Sequence, residues 1–92
     1  MEYSVSNNNE ASRFECLMED GRSAYLDYNE IEEGLNFAHT YVPKPFEGKG
    51  VAAALVKFGL EYAKSNGMLI QPSCPYVTAY IKRHPEYLSL VK

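Results

Sequence analysis

Two glycines one residue apart, Gly48 and Gly50, stand between a stretch of alternating apolar residues and an Ala-rich stretch of helical period. A chain with this junction is constrained to run a strand through a tight loop into a helix. Glycine takes left-handed backbone conformations without a Cβ penalty and lets the backbone come close to a ligand. The helix that follows opens on unpaired N–H groups and the positive end of its dipole. The segment Val42-Pro43-Lys44-Pro45-Phe46-Glu47-Gly48-Lys49-Gly50-Val51 therefore reads as an anion cradle, the plain alternative being a surface loop that merely turns. It is not a Walker loop, because no glycine stands at the upstream position and no Ser or Thr follows Lys49. The glycine spacing also differs from the dinucleotide fingerprint.

The flanking segments follow from periodicity. Residues 5–12 are polar and turn-rich and read as a loop or loose terminus. From Arg13 to Met18, the residues Phe14, Cys16 and Met18 form the apolar face of a strand. Asp20-Gly21 is a strong hairpin signal. A second strand runs from Ser23 to Tyr28, and a turn spans Glu30 to Gly34. A third runs from Leu35 to Val42, and simple alternation sets Leu35, Phe37, His39 and Tyr41 on one face and Asn36, Ala38, Thr40 and Val42 on the other. Short turns make these strands an antiparallel meander. After the glycine loop, Ala52, Leu55, Val56, Gly59 and Ala63 mark a helix from Val51 to Asn66, stopped by Asn66-Gly67. Met68 to Gln71 reads as a short buried strand, parallel to the third because a helix separates them. Pro72-Ser73-Cys74-Pro75 breaks it, a second helix runs from Pro75 to about Arg83, and Glu86 to Val91 forms a last turn. The expected fold class is α/β (α+β): a mostly antiparallel sheet with one parallel junction, covered by two helices, in a single domain over residues 1–92 with 1–12 loose.

At 46% hydrophobic and 23% charged, the 92-residue chain is too apolar for disorder and has room for one modest core. A net charge of -3 argues against nucleic-acid and membrane partners, which need a basic footprint. Cys16 and Cys74 form neither a disulfide framework nor a metal-ligand spacing, so no metal is expected. No leader pattern is visible in Met1-Glu2-Tyr3-Ser4, and the expected setting is a reducing cytoplasm.

The strand, the run Pro45-Phe46-Glu47-Gly48-Lys49-Gly50-Val51-Ala52 and the amphipathic helix together resemble motif A of the GNAT superfamily of acyl-CoA-dependent N-acetyltransferases. That motif, Q/R-x-x-G-x-G/A, falls on Pro45, Gly48 and Gly50; proline at its first position removes a side chain but not the backbone cradle. The likeness covers the chain from about Phe14 and is nearest to the minimal single-domain branch, since the extra helices that shape an acceptor site in longer members are missing. It implies acetyl-CoA as the coenzyme. Gly48, Lys49, Gly50 and Val51 would hold its pyrophosphate, mainly through backbone N–H groups, with Phe46 and Glu47 completing the coenzyme-binding loop. Tyr41 and Val42 would pair with the pantetheine arm, and Lys44 or Lys49 would add charge near the 3′-phosphate. The following parallel strand is expected to splay away and make the acyl slot.

Three side chains are candidates for the chemistry. Cys74 lies between a strand and a helix N-terminus, a setting that lowers thiol pKa. In the layout the resemblance implies, it borders the thioester and could carry the acetyl group; a small buried cap is the alternative. His39 lies on the strand where the resemblance implies a general base, with half-burial against the helix as the alternative. The resemblance also implies a tyrosine general acid from the last helix. Tyr80 is the candidate, and its neighbour one turn away, Tyr76, stays open. Asp27, Glu30, Glu32 and Glu33 would steer an amine if they border the cleft, and otherwise form a solvated turn. The expected function is acetyl transfer from acetyl-CoA to an unidentified amine, with a non-catalytic acyl-CoA-binding or protein-interaction module as the rival.

Overall fold

Phe14 and Cys16 alternate with polar residues, as do Ala24 and Leu26, and in the fold these four lie opposite one another, all buried. A computed structural model describes residues 3–92; residues 1 and 2, part of the stretch read for a leader, lie outside the described residues. The strands are β1 (Ser6–Asn8), β2 (Arg13–Leu17), β3 (Ser23–Ile31), β4 (Gly34–Tyr41) and β5 (Leu69–Pro72), and the helices are α1 (Val51–Ser65) and α2 (Pro75–Arg83). They form one sheet in the order β1-β2-β3-β4-β5. Its first four strands are antiparallel, and β5 joins parallel to β4. The expected sheet with a single parallel junction and two helices is the observed one.

The hairpin after β2 closes as its Asp-Gly pair requires. Gly21 takes φ of 90°, its N–H donates to the Met18 carbonyl at 3.0 Å, and the Arg22 guanidinium closes on the Asp20 carboxylate at 2.7 Å. That hydrogen-bonded contact holds the Asp20 carboxyl below its ordinary range. The next turn is tighter than expected. β3 continues to Ile31, Glu33 takes the left-handed conformation with φ of 74°, and Gly34 already belongs to β4. Gly34 is needed for contact instead of turning: a Cβ there would lie 1.8 Å from the Leu69 carbonyl oxygen.

Two expectations are corrected. Residues 5–12 are not simply a loop, since Ser6–Asn8 pairs with β2 as an edge strand. Its hydrogen bonds come from backbone pairing and amides, with the Tyr28 hydroxyl donating to Asn7 Oδ1 at 2.7 Å, and neither leaves an apolar alternation to read. The alternation along β4 also breaks. Asp27 faces His39 but Tyr28 faces Phe37, so Ala38 is a bulge residue with no partner. Past it the faces exchange: Thr40 lies opposite Leu26 on the core side, whereas His39 and Tyr41 are exposed.

α1 packs on β2, β3 and β4 through Val51, Leu55, Val56, Gly59, Leu60 and Ala63. Gly59 lets the helix sit on the rings of Phe14 and Phe37, where a Cβ would come within 2.9 to 3.0 Å. Asn66 and a left-handed Gly67 (φ 65°) end it. α2 buries Val77, Tyr80 and Ile81 and contacts β5 and α1. A 3-10 turn at Pro85–Leu90 follows; Val91 then bridges Ile70 on the free edge of β5. Among the described residues no helix is long and apolar enough to cross a membrane.

Gly34→Ala is expected to destabilise the protein by about 3 kcal/mol, the upper end of overpacking costs, because the Leu69 backbone must move and the β4–β5 pair with it. Gly67→Ala meets no atom within 4 Å and should cost only the left-handed penalty of about 1–2 kcal/mol. Urea unfolding of the two variants measures the difference; equal midpoints would contradict the steric role of Gly34.

Candidate functional site

The parallel pairing of β4 with β5 is short and ends at Phe37 opposite Pro72. The chain turns there, and the Cys74 N–H donates to the Phe37 carbonyl at 3.0 Å. β4 itself continues to Tyr41, so its last residues have an open edge where β5 has gone. A cleft of about 310 Å³ occupies this wedge. Thr40 and Val42 line it from the β4 side, Cys74 and Tyr76 from the α2 side, and the glycine loop with the first turn of α1 closes the end.

The loop conformation follows from its prolines and glycines. Pro43 is fully buried and starts a 3-10 turn, Lys44–Phe46, in which the Phe46 N–H donates to the Pro43 carbonyl at 2.9 Å. Gly48 and Gly50 then take φ of 76° and 84°. A Cβ at either position would meet nothing within 4 Å, so the backbone conformation, not crowding, demands glycine. Gly50 is the N-cap of α1; no side chain caps it, and the first turn holds no acidic residue. The first intrahelical bond runs from the Ala54 N–H to the Gly50 carbonyl at 3.1 Å. The amides before it have no helical acceptor and stand at the positive end of the dipole. An uncapped terminus bordered by left-handed glycines, open to a cleft and without nearby carboxylates in its first turn, fits a phosphate group.

Cys74 is the N-cap of α2 and its side chain is almost wholly buried against the cleft. Its sulfur lies 3.4 Å from the Thr40 hydroxyl oxygen. Burial pushes the thiol up, but hydrogen bonding from the Thr40 hydroxyl and from the backbone amides of Val77, Tyr76 and Thr40 outweighs it, and the thiol lies below its ordinary value. The first-turn amides favour the thiolate without completing a cap hydrogen bond. Cys16 is the opposite case: it lies in the core beside Phe14, and burial pushes its thiol up.

Of the residues singled out from the sequence, the cleft brings together Val42, Phe46, Glu47, Gly48, Gly50, Val51 and Cys74. Lys49 lines a neighbouring hollow of about 210 Å³ with Tyr3 and Met18, and Phe46 is the wall between the two. His39 and Tyr41 point to the uncovered sheet face, so only their backbones run along the cleft edge. Tyr80 is buried outside the cleft lining, stacked on His84 at 4.1 Å, and burial pushes its hydroxyl up. Its neighbour Tyr76 reaches the cleft instead. Glu30 and Glu33 border a hollow with Gly34 and Tyr62, away from the glycine loop. Thr40 and Ala52 were not anticipated. Ala52 belongs to the first helical turn and could have been inferred with Val51, but Thr40 enters only because of the bulge. Among the described residues no cluster of His, Cys, Asp or Glu could hold a metal.

A family model described as GCN5-related N-acetyl-transferase matches residues 13–90. The chain is also similar to Protein NATD1 of Xenopus tropicalis and of Homo sapiens, with 29% identity over 51 residues in each case. The match covers 55% of this chain and 47% and 45% of those proteins, so it spans about half the length of the curated relatives.

Native-state alkylation by iodoacetamide is expected to modify Cys74 before Cys16 and to rise with pH about a midpoint below the ordinary thiol value of 9.0. Only the thiolate reacts, so a lowered pKa moves that midpoint to lower pH. Thr40→Val removes a bond that favours the thiolate and should move it to higher pH. Peptide mass spectrometry across pH 6 to 10 checks both statements; an unmoved midpoint in the variant would separate Thr40 from the thiol.

Proposed function

Because this chain belongs to the GCN5-related N-acetyltransferase family, we propose that it binds acetyl-CoA in the β4–β5 cleft and transfers the acetyl group to an amine through Cys74. One observation carries the proposal: the uncapped N-terminus of α1 and the thiol of Cys74 open into the same cleft. The N–H groups of Gly48, Lys49, Gly50 and Val51 hold the pyrophosphate. The open edge of β4 at Tyr41 and Val42 offers backbone groups to the pantetheine arm, which its alternating amide groups suit. Lys44 and Lys49 add positive charge near the 3′-phosphate.

When bound, acetyl-CoA supplies an activated thioester carbonyl. The Cys74 thiolate attacks that carbonyl; a carbon–sulfur bond to Cys74 forms and the one to the coenzyme breaks. The hydroxyl of Tyr76, which lines the cleft, would give a proton to the departing sulfur and recover one from water. A neutral amine then attacks the acetylated Cys74. The new carbon–nitrogen bond forms, the bond to sulfur breaks, and the amine proton passes to solvent. The Thr40 hydroxyl, 3.4 Å from the sulfur, holds the thiolate between the two steps. This assignment replaces Tyr80 with Tyr76 as proton donor and gives His39 no step, because neither Tyr80 nor His39 lines the cleft.

Melting with and without excess acetyl-CoA, followed by intact mass, tests the proposal. Ligand at about a hundred times its dissociation constant stabilises the native state by about 2.7 kcal/mol. For a domain of this size the melting temperature should rise by several degrees. A hydroxylamine-sensitive acetyl adduct should form on the wild type and be absent from Cys74→Ala. Gly48→Val should weaken coenzyme binding by about tenfold, equivalent to about 1.4 kcal/mol. A melting shift without an adduct would remove the Cys74 step and leave direct transfer or binding alone; no shift would remove the cleft assignment.

A further inference from the structure

The Tyr3 hydroxyl donates to the Lys49 carbonyl oxygen at 2.7 Å, a contact between the start of the chain and the centre of the glycine loop. Within a trans peptide the carbonyl and the following N–H point in opposite directions. Anchoring the Lys49 carbonyl therefore fixes where the Gly50 N–H points. Tyr3 and Lys49 line the smaller hollow, whereas Gly50 lines the cleft, and Phe46 separates the two. With the carbonyl tied on the Tyr3 side, the Gly50 amide is directed to the cleft side.

Something outside the loop has to perform this anchoring. A flip of the Lys49–Gly50 peptide plane changes ψ of Lys49 and φ of Gly50. Gly50 has φ of 84°, and glycine populates positive and negative φ about equally. No side chain caps the helix terminus and, beyond its chain neighbours, no atom lies within 4 Å of a Cβ built at Gly50, so packing at Gly50 itself does not select one orientation. We infer that Tyr3 is a positioning residue for the phosphate cradle, holding the Lys49–Gly50 peptide so that its amide faces the pyrophosphate of the coenzyme. The inference rests on the proposed coenzyme site and adds a residue from outside the loop to it.

Tyr3→Phe tests it, since the ring is kept and only the hydrogen bond is lost. Affinities of wild type and variant are measured by titration for coenzyme A and for pantetheine, which lacks every phosphate. The variant should bind coenzyme A about two- to tenfold more weakly, the range that a single hydrogen bond supplies. Its pantetheine affinity should not change. Equal coenzyme A affinity in the two proteins would overturn the role of Tyr3 and leave the cradle standing. Equal losses for both ligands would also overturn it, because the effect would then not act through phosphate. If wild type binds coenzyme A no better than pantetheine, the cradle itself fails, and the role of Tyr3 fails with it.

Discussion

One residue without a partner, Ala38 in β4, decides which side chains the cleft receives. Side chains in a strand alternate, so one inserted residue exchanges every later position between the two faces. Before the bulge, Leu35 and Phe37 are in the core; after it, Thr40 takes the core side opposite Leu26 and Val42 follows toward the glycine loop. Were Ala38 paired with Asp27 in a regular register, His39 would lie opposite Leu26 on the core side, and Thr40 would face away from Cys74. The uncovered face depends on the same residue. It assembles Arg13, whose guanidinium lies 4.1 Å from the Tyr25 ring, beside Tyr41, whose ring centre lies 5.2 Å from that of Tyr25.

The acidic balance of the chain is compatible with the proposed anion cradle because that cradle would use partial charges fixed in the backbone. Side-chain charge spreads into solvent and is screened within about 10 Å at ordinary ionic strength. Amides at a helix terminus point at the ligand and need no reorganisation to bind it. The same device occurs twice. α1 begins at Gly50 and α2 begins at Cys74, and both starts border the one cleft. The first terminus suits a phosphate. At the second, against the upward push of burial, the Thr40 hydroxyl across the gap and then the first-turn amides lower the thiol of Cys74.

Elements that combine a strong period with a clear stop were legible in the sequence. Pro75 and Pro85 bracket α2, and Asn66-Gly67 ends α1, because those residues act through local backbone geometry. The sheet order followed from short turns and a single helical crossover. The glycine loop was legible as well, since positive φ at Gly48 and Gly50 is a local demand. Long-range causes were not. The edge strand Ser6–Asn8 is specified by pairing with β2 and by amide contacts to Tyr28 and Glu15, none of which leaves a periodic trace. The bulge at Ala38 answers to the register against β3. Tyr76 and Tyr80 lie one helical turn apart on the same face, and which of them meets the cleft depends on where the start of α2 is placed against β4, a matter of tertiary packing.

The two walls of the cleft come from separate parts of the chain, so its width depends on contacts remote from the chemistry. The β4 wall is paired with β3 from Gly34 to Tyr41 except at Ala38. The α2 wall is tied to β4 where the Cys74 N–H meets the Phe37 carbonyl, where the Ser73 hydroxyl donates to Asn36 Oδ1 and where Thr40 meets the Cys74 sulfur, and behind it the chain is held against β5 and α1. The Lys92 N–H donates to the Ile70 carbonyl at 2.9 Å, and the Tyr87 hydroxyl donates to the Glu61 carboxylate of α1 at 2.6 Å. Burial, together with that carboxylate, pushes the Tyr87 hydroxyl well above its ordinary value, so it remains a donor across the physiological range. Tyr87 also packs beside Tyr80, and both are buried. Tyr80 thus has a structural task that follows from its position: it fills the interior one turn further along the same face of α2 as Tyr76, which stands in the first turn of the helix and so meets the cleft.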